Sequence, residues 1–276
     1  MKNFYIIISE NKNQSIENTT EKLIERFDTY GSRVSYEIYE GYLGRDFQIP
    51  EHIDCVITVG GDGTMLRAAR AAFGRSVAFI GINRGHMGYL TEVSEISDYG
   101  SLVERLINDD FQIEERMMLA AKLKRDGKVI FRDFALNDVL LGKNDSIHMM
   151  EYEVYVNDTL LNTYRADGVL VASPTGSTGY SLSAGGPIAE PSAKLLILTP
   201  ICPHSINTRS IVLSASDKVR IIPHTLNQLV SCDGADGTEV KKGDELIVTR
   251  STGAMKFIKL KETSFLDTLR DKMRAV

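Results

Sequence analysis

At 276 residues, with 43% hydrophobic and 25% charged, the chain has the length and composition of a globular protein of one large domain or two ordinary ones. A formal net charge of −5 without a basic tract excludes the electrostatic footprint of a nucleic-acid binder, and Cys55, Cys202 and Cys232 form no CxxC pair, which excludes a disulfide framework and a cysteine zinc site. No apolar run approaches the ~20 residues of a membrane span, and residues 1 to 9 are too short and polar-flanked for a signal peptide, so the expectation is a cytoplasmic protein without membrane contact.

The first third alternates strand and helix signals. Phe4 to Ser9 reads as a strand, and Ile16 to Phe27 as a helix with Leu23, Ile24 and Phe27 on one side. Arg33 to Tyr39 is a second strand. Asp54 to Val59 is a β-branched apolar run that leads into Gly60-Gly61-Asp62-Gly63-Thr64, and strong helix formers follow to Phe73, with Thr64 placed where a cap would sit. Val77 to Ile82 is another apolar strand, and Ile96 to Ile107 another helix. This order implies a parallel sheet covered by helices, in which ligands gather beyond the carboxyl ends of the strands. The Asp62 turn and the segment from Asn83 to Tyr89 both follow strands and are expected on that edge.

After Asp110 the texture changes to strands separated by turns, such as Asp126-Gly127, Asn157-Asp158 and Lys242-Gly243-Asp244. The expectation is α/β plus all-β: a Rossmann-like nucleotide-binding domain over residues 1–108 and a β-sandwich over residues 109–261. An amphipathic helix from Ser264 to Met273, with Phe265, Leu266, Leu269 and Met273 on one stripe, is expected to return to the first domain, which claims residues 262–276.

Three clusters carry chemistry. A strand, a glycine turn and a helix N-terminus make an anion cradle, because glycines admit backbone N–H groups to a phosphate and the helix dipole favours its charge. Asp62 inside that cradle repels phosphate, so it marks a base or metal ligand unless it only closes an Asx-type turn. Asn137-Asp138 interrupts a strand-like run, as either a turn or a functional exposure. From Arg165 to Pro187, small, hydroxyl and glycine residues surround Tyr180; a backbone there can approach a ligand closely, and Pro174, Tyr180 and Leu182 argue against a flexible linker. Pro200 to His204 holds a Cys and a His without a second metal-binding pair, His86 and His148 are lone histidines, and Arg67 and Arg84 either face solvent or meet phosphate. There is no Walker A pattern and no GxGxxG after a strand, which argues against a P-loop NTPase and an ordinary dinucleotide dehydrogenase.

With these residues in order, the chain resembles the NAD kinase family. Gly60-Gly61-Asp62-Gly63-Thr64 matches a signature shared with diacylglycerol and sphingosine kinases and related to phosphofructokinases. Asn83 to Leu90, the Asn137-Asp138 pair, and Asp167-Gly168 through Tyr180 match the rest of the family's pattern. The resemblance implies transfer of the γ-phosphoryl group of ATP to the 2′-hydroxyl of the adenosine ribose of NAD, giving NADP. It implies Asp62 as general base, with Gly63 and Arg67 in the same pocket, and Asn137 and Asp138 on NAD hydroxyl and amide groups. His148, Arg165 and Asp167 are further dinucleotide positions, and Thr175, Thr178, Gly179, Tyr180 and Ser183 lie in the segment that wraps the adenosine. It also implies Mg²⁺ or another divalent cation carried with ATP and no dedicated protein metal site. A homodimer or homotetramer through the β domain is implied as well. Three positions depart from the family's usual residues: Asp138 replaces Glu, Gly179 replaces Ala, and Ala235 stands in place of Gln. A lipid or sphingoid-base kinase with the same glycine motif and a non-enzymatic NAD(H)-sensing protein are the alternatives. The first needs a large apolar pocket or membrane-facing surface, which the polar 165–187 segment opposes.

Overall fold

Five of the six residues of β1 (Asn3–Ile8) and all of β3 (Cys55–Val59) and β4 (Ala78–Ile82) are buried, the pattern of strands covered on both faces. A computed structural model describes residues 1–10, 13–44, 47–83, 88–91, 99–144, 149–205, 209–260 and 264–274. It divides into two compact units, one formed by residues 1–115 and 255–276 and the other by residues 116–254.

In the first unit, α1 (Gln14–Asp28) starts from Asn13, whose side chain accepts a hydrogen bond from the Ile16 N–H at 2.9 Å and so satisfies one of the helix's orphan donors. Its buried stripe of Ile16, Leu23 and Phe27 packs with Phe4, Ile6 and Ile57. A 3₁₀ turn over Gly31–Arg33 delays β2 (Ser35–Glu40), so this strand begins later than the sequence suggests. β2 is largely exposed because it lies at the edge. The parallel order is β2-β1-β3-β4, with Ile6 opposite Ile38 on one side and Ile57 on the other. Helices α2 (Asp62–Ala71) and α3 (Tyr99–Ile107) complete this part; the expected start of α3 at Ile96 lies outside the described residues.

The second unit is two antiparallel sheets. Strands β5 (Gln112–Arg125), β6 (Lys128–Ala135), β8 (Met150–Val156), β9 (Thr159–Ala166), β13 (Val219–Pro223) and the first part of β16 (Glu245–Lys259) form one. The other has the order β12-β11-β10-β7-β14-β15, from β7 (Asp138–Lys143), β10 (Gly168–Ala172), β11 (Leu195–Ile201), β12 (Ile211–Ser214), β14 (Gln228–Cys232) and β15 (Thr238–Val240). Alternate residues such as Val169, Val171 and Leu141 meet Tyr152, Val154, Ile221 and Val248 in one core, as sandwich packing requires. The other face of β10, with Leu170 and Ala172, packs against Ala184 and Ala189. The glycine- and serine-rich segment therefore covers a sheet face, and it folds into a 3₁₀ turn (Thr175–Thr178) and the four-residue α4 (Tyr180–Ser183).

The end of β16 pairs in parallel with β4 through Lys256 and Phe257, and α5 (Phe265–Arg274) follows in the first unit. The helix returns as expected, but its apolar stripe does not become core. No residue of α5 is buried, and Leu266 and Met273 are 69% and 70% exposed.

Candidate functional site

The chain leaves β3 through Gly60, whose N–H donates to the Ile82 carbonyl at the end of β4 and ties the two strand ends together. A Cβ on Gly60 would press on Ser9 and on the Thr64 side chain, both at 2.9 Å, so the turn depends on its absence. Gly61, not Thr64, occupies the cap position of α2. Thr64 lies inside the helix and is buried, so its expected capping role is corrected: the helix starts at Asp62, before the glycine-threonine pair.

Asp62 thus stands in the first turn of α2, where the dipole favours a carboxylate. Its Oδ2 accepts from the Tyr89 N–H at 2.7 Å, and its Oδ1 from the Leu90 N–H at 3.2 Å and the Thr91 hydroxyl at 3.4 Å. Gly88 makes this possible, since a Cβ there would collide with Asp62 Oδ1. Gly63 is exposed and open, with the nearest Arg67 guanidinium nitrogen 3.9 Å from where its Cβ would be. The buried Nε of Arg67 has no hydrogen-bond partner among the described residues. Lys272 of α5 places its ammonium over the Tyr89 ring, 3.8 Å from the centroid. Burial pulls its pKa below the ordinary lysine value, while the charge of Asp62 opposes the shift.

In the second unit, Asn137 and Asp138 sit at the junction of β6 and β7 rather than within one strand. The junction is held by Asp233, which has a left-handed φ of 51° and was not singled out by its sequence pattern. Its carboxylate accepts from the N–H groups of Leu136, Asn137 and Asp138 at 2.8, 2.7 and 3.1 Å, and its own N–H donates to the Asp138 carbonyl. Asp138 is only 7% exposed, and burial, with the charge of Asp233 adding, pushes its carboxyl up to about 7.

The segment after β10 packs on this junction. The Ser173 hydroxyl donates to the Leu136 carbonyl and the Ser173 N–H to the Asn137 carbonyl. Gly176 is pressed against Asn137 so closely that a Cβ would collide with its carbonyl. Gly179 stands near Asn137 and Asp138; its Cβ would lie 3.4 Å from Asn137 Nδ2 and 3.9 Å from Asp138 Oδ2. Asn137 Oδ1 and the Thr175 hydroxyl are buried without a hydrogen-bond partner among the described residues. Thr178 is half-buried and donates to the Thr175 carbonyl, whereas Tyr180 and Ser183 are exposed.

The structure therefore gathers Asn137, Asp138, Thr175, Gly179 and the helix bearing Tyr180 and Ser183. It places Arg165 and Asp167 elsewhere, at the opposite end of the β7–β10 pair. There Asp167 pairs with Lys143 at 2.8 Å, and Arg165, 70% exposed, pairs with Glu151 at 3.1 Å. His148 and the stretch from Arg84 to Met87 lie outside the described residues. The sequence signal for Asp233 was the Asp-Gly step after an apolar strand. Lys272 carried no signal beyond membership of an amphipathic helix.

Comparison with known proteins covers both units. Residues 3–111 match the ATP-NAD kinase N-terminal domain and residues 136–260 the ATP-NAD kinase C-terminal domain. An NAD kinase of Lachnospira eligens is 37% identical over 295 residues, covering 99% of this chain and all of that one. An NAD kinase of Heliobacterium modesticaldum is 44% identical over 224 residues, covering 80% of this chain and 79% of that one. The crystal structure of yeast NADH kinase complexed with NADH shares the fold with a TM-score of 0.89 at 24% identity, covering 99% of this chain and 88% of that one. An Archaeoglobus fulgidus NAD kinase in complex with ATP shares it with a TM-score of 0.79 at 24% identity, covering 99% of both.

Proposed function

The chain belongs to the ATP-NAD kinase family, and from that premise we propose the roles its residues take in phosphorylating NAD to NADP with ATP. The glycine motif alone is shared with lipid kinases; the matches over residues 3–111 and 136–260 are both to ATP-NAD kinase domains.

One observation carries the chemical assignment: Asp62 presents a half-buried carboxylate, oriented by the Tyr89 and Leu90 N–H groups, at the first turn of α2. Phosphoryl transfer depends on positioning and charge stabilisation more than on covalent help from the protein. Asp62 accepts the proton of the ribose 2′-hydroxyl as that oxygen attacks the γ-phosphorus. The exposed Gly61 and Gly63 around the helix N-terminus suit the donor phosphates, and Arg67 adds positive charge from the next turn. Asn137 and Asp138 hold polar groups of the dinucleotide, which the unpartnered Asn137 Oδ1 supports. Thr175, Thr178, Gly179 and Ser183 line the adenosine, and Tyr180 offers its exposed ring for stacking. Arg165 and Asp167 belong to a second patch with Glu151 and Lys143.

A single carboxylate oriented by two backbone N–H groups can position the acceptor hydroxyl and take its proton, but it is not an ion cage. Among the described residues no group of three or more His, Cys, Asp or Glu side chains is arranged to hold a metal. A divalent cation carried on ATP supplies charge neutralisation at the donor phosphates.

The three free cysteines and the acidic net charge support a reducing, cytoplasmic setting without nucleic acid. Exposed Leu160 and Leu161 on β9 and Val129 and Ile130 on β6 support a homodimer or homotetramer through the β unit. The test is direct: purified protein with ATP, MgCl₂ and NAD, assayed for NADP with an NADP-specific dehydrogenase. NADP formation is expected, and its absence with both ATP and polyphosphate as donor removes the reading. The same assay with NADH fixes the preferred acceptor.

A further inference from the structure

We propose that Lys272, on the C-terminal helix, contacts the transferring phosphoryl group and stabilises its charge in the transition state. The proposal rests on the kinase reading of Asp62. Its basis is one residue that serves two charged side chains: the Tyr89 backbone N–H holds the Asp62 carboxylate at 2.7 Å, and the Tyr89 ring carries the Lys272 ammonium at 3.8 Å. The base and the cation are thereby fixed against the same short segment.

The rest of α5 does not explain why Lys272 is placed there. The helix buries none of its residues, and its exposed Leu266 and Met273 make no core. Among the described residues its ion pairs are local, with Arg270 joined to Asp267 at 2.8 Å and to Asp271 at 3.8 Å. Lys272 instead reaches Tyr89 and feels the charge of Asp62, while burial makes its charged form costlier to hold. A cation held against the residue that orients Asp62 is what this cradle needs, because Asp62 alone repels the donor phosphates.

The step balances without an added reactant. The 2′-oxygen forms a bond to the γ-phosphorus as the bond to the β–γ bridging oxygen breaks. The hydroxyl proton passes to Asp62, and the electron pair leaves with ADP. Lys272 stays protonated throughout and neutralises charge on the equatorial oxygens.

A cation–π contact that only holds α5 in place would leave turnover intact. Kinetics of the full-length enzyme separate the two. NADP formation by the wild type tests the kinase reading itself. Lys272→Met keeps the apolar stem and removes the charge. Its kcat is expected to fall by about 30-fold or more, with the KM for NAD within about threefold and Lys272→Arg recovering at least about a tenth of wild-type turnover. Where the wild type is active, a Lys272→Met enzyme whose kcat falls by less than about 30-fold overturns the proposal. So does a loss that Lys272→Arg does not relieve. If Lys272→Met does not fold, Lys272→Gln replaces it under the same criteria.

Discussion

Gly88 and Asp62 are matched by exclusion: a Cβ on Gly88 would occupy the space of Asp62 Oδ1, so the glycine is what lets the carboxylate reach the Tyr89 and Leu90 N–H groups. Gly88→Ala is therefore expected to displace Asp62 and lower kcat by about 10-fold or more, because small misplacements of a reacting group are expensive. Steady-state kinetics beside a thermal melt check this. An enzyme with unchanged kcat would mean that the carboxylate reaches the acceptor without this loop.

Asp62→Asn keeps the shape and the first-turn position but cannot accept the proton. Turnover is expected to fall by about 10² or more while calorimetric NAD affinity stays within about threefold. Near-normal turnover would remove Asp62 from the mechanism.

Two glycines in one segment are expected to behave oppositely. Gly176→Ala drives a methyl into the Asn137 carbonyl, backbone that cannot rotate away, and is expected to cost about 2–4 kcal/mol. Gly179→Ala meets the Gly176 carbonyl at 3.3 Å and the Asn137 amide at 3.4 Å, contacts that yield with a few tenths of an ångström, so stability should change by less than about 1 kcal/mol. Urea denaturation of both variants decides it.

Asp233 supports the Asn137–Asp138 junction from 96 residues away in sequence. Asp233→Ala leaves three backbone N–H groups without their acceptor and is expected to lower stability by about 2–4 kcal/mol, and NAD affinity with it. Unfolding and NAD titration of the same variant would show both losses; a loss of affinity at unchanged stability would point to direct ligand contact instead.

Asp138 makes stability depend on pH. Its folded pKa is raised to about 7, so between the unfolded carboxyl range and about 7 the folded state holds the extra proton. Stability is then highest at the acid end of that window and declines as pH rises through 7, opposite to an ion-paired carboxylate. Asp138→Asn is expected to flatten this part of the profile and to melt higher than wild type at pH 8. A wild-type melting temperature that rises between pH 5 and 7 more steeply than the variant's would contradict the assignment.

Much of the first unit was legible because its signals are local. A β-branched run, two glycines, an acidic residue and helix formers specify a strand, a tight turn and a helix N-terminus wherever the rest of the chain lies. The long apolar strands β1, β3 and β4 likewise announced a sheet buried on both faces. Capping rules favour Thr and so place the helix start at Thr64, whereas here Gly61 supplies the extended cap conformation and the helix starts at Asp62. The amphipathic helix α5 is legible in the sequence, but periodicity reports an apolar face and not what covers it.

What only the tertiary structure decided are the pairings between distant residues. Asp233 on the Asn137 backbone, the Gly176 contact with Asn137 and Lys272 over Tyr89 all depend on strand register and helix docking, which no local pattern encodes. The same register sets Arg165 and Asp167 at the far end of the β7–β10 pair, although a motif reading runs them together with the loop that follows. Sequence by itself determined the kinds of element and the chemical groups at their ends, since propensity and periodicity act over a few residues. Which of those groups meet was settled by packing, because burial of long-range contacts is what selects one arrangement among the many that the local rules permit.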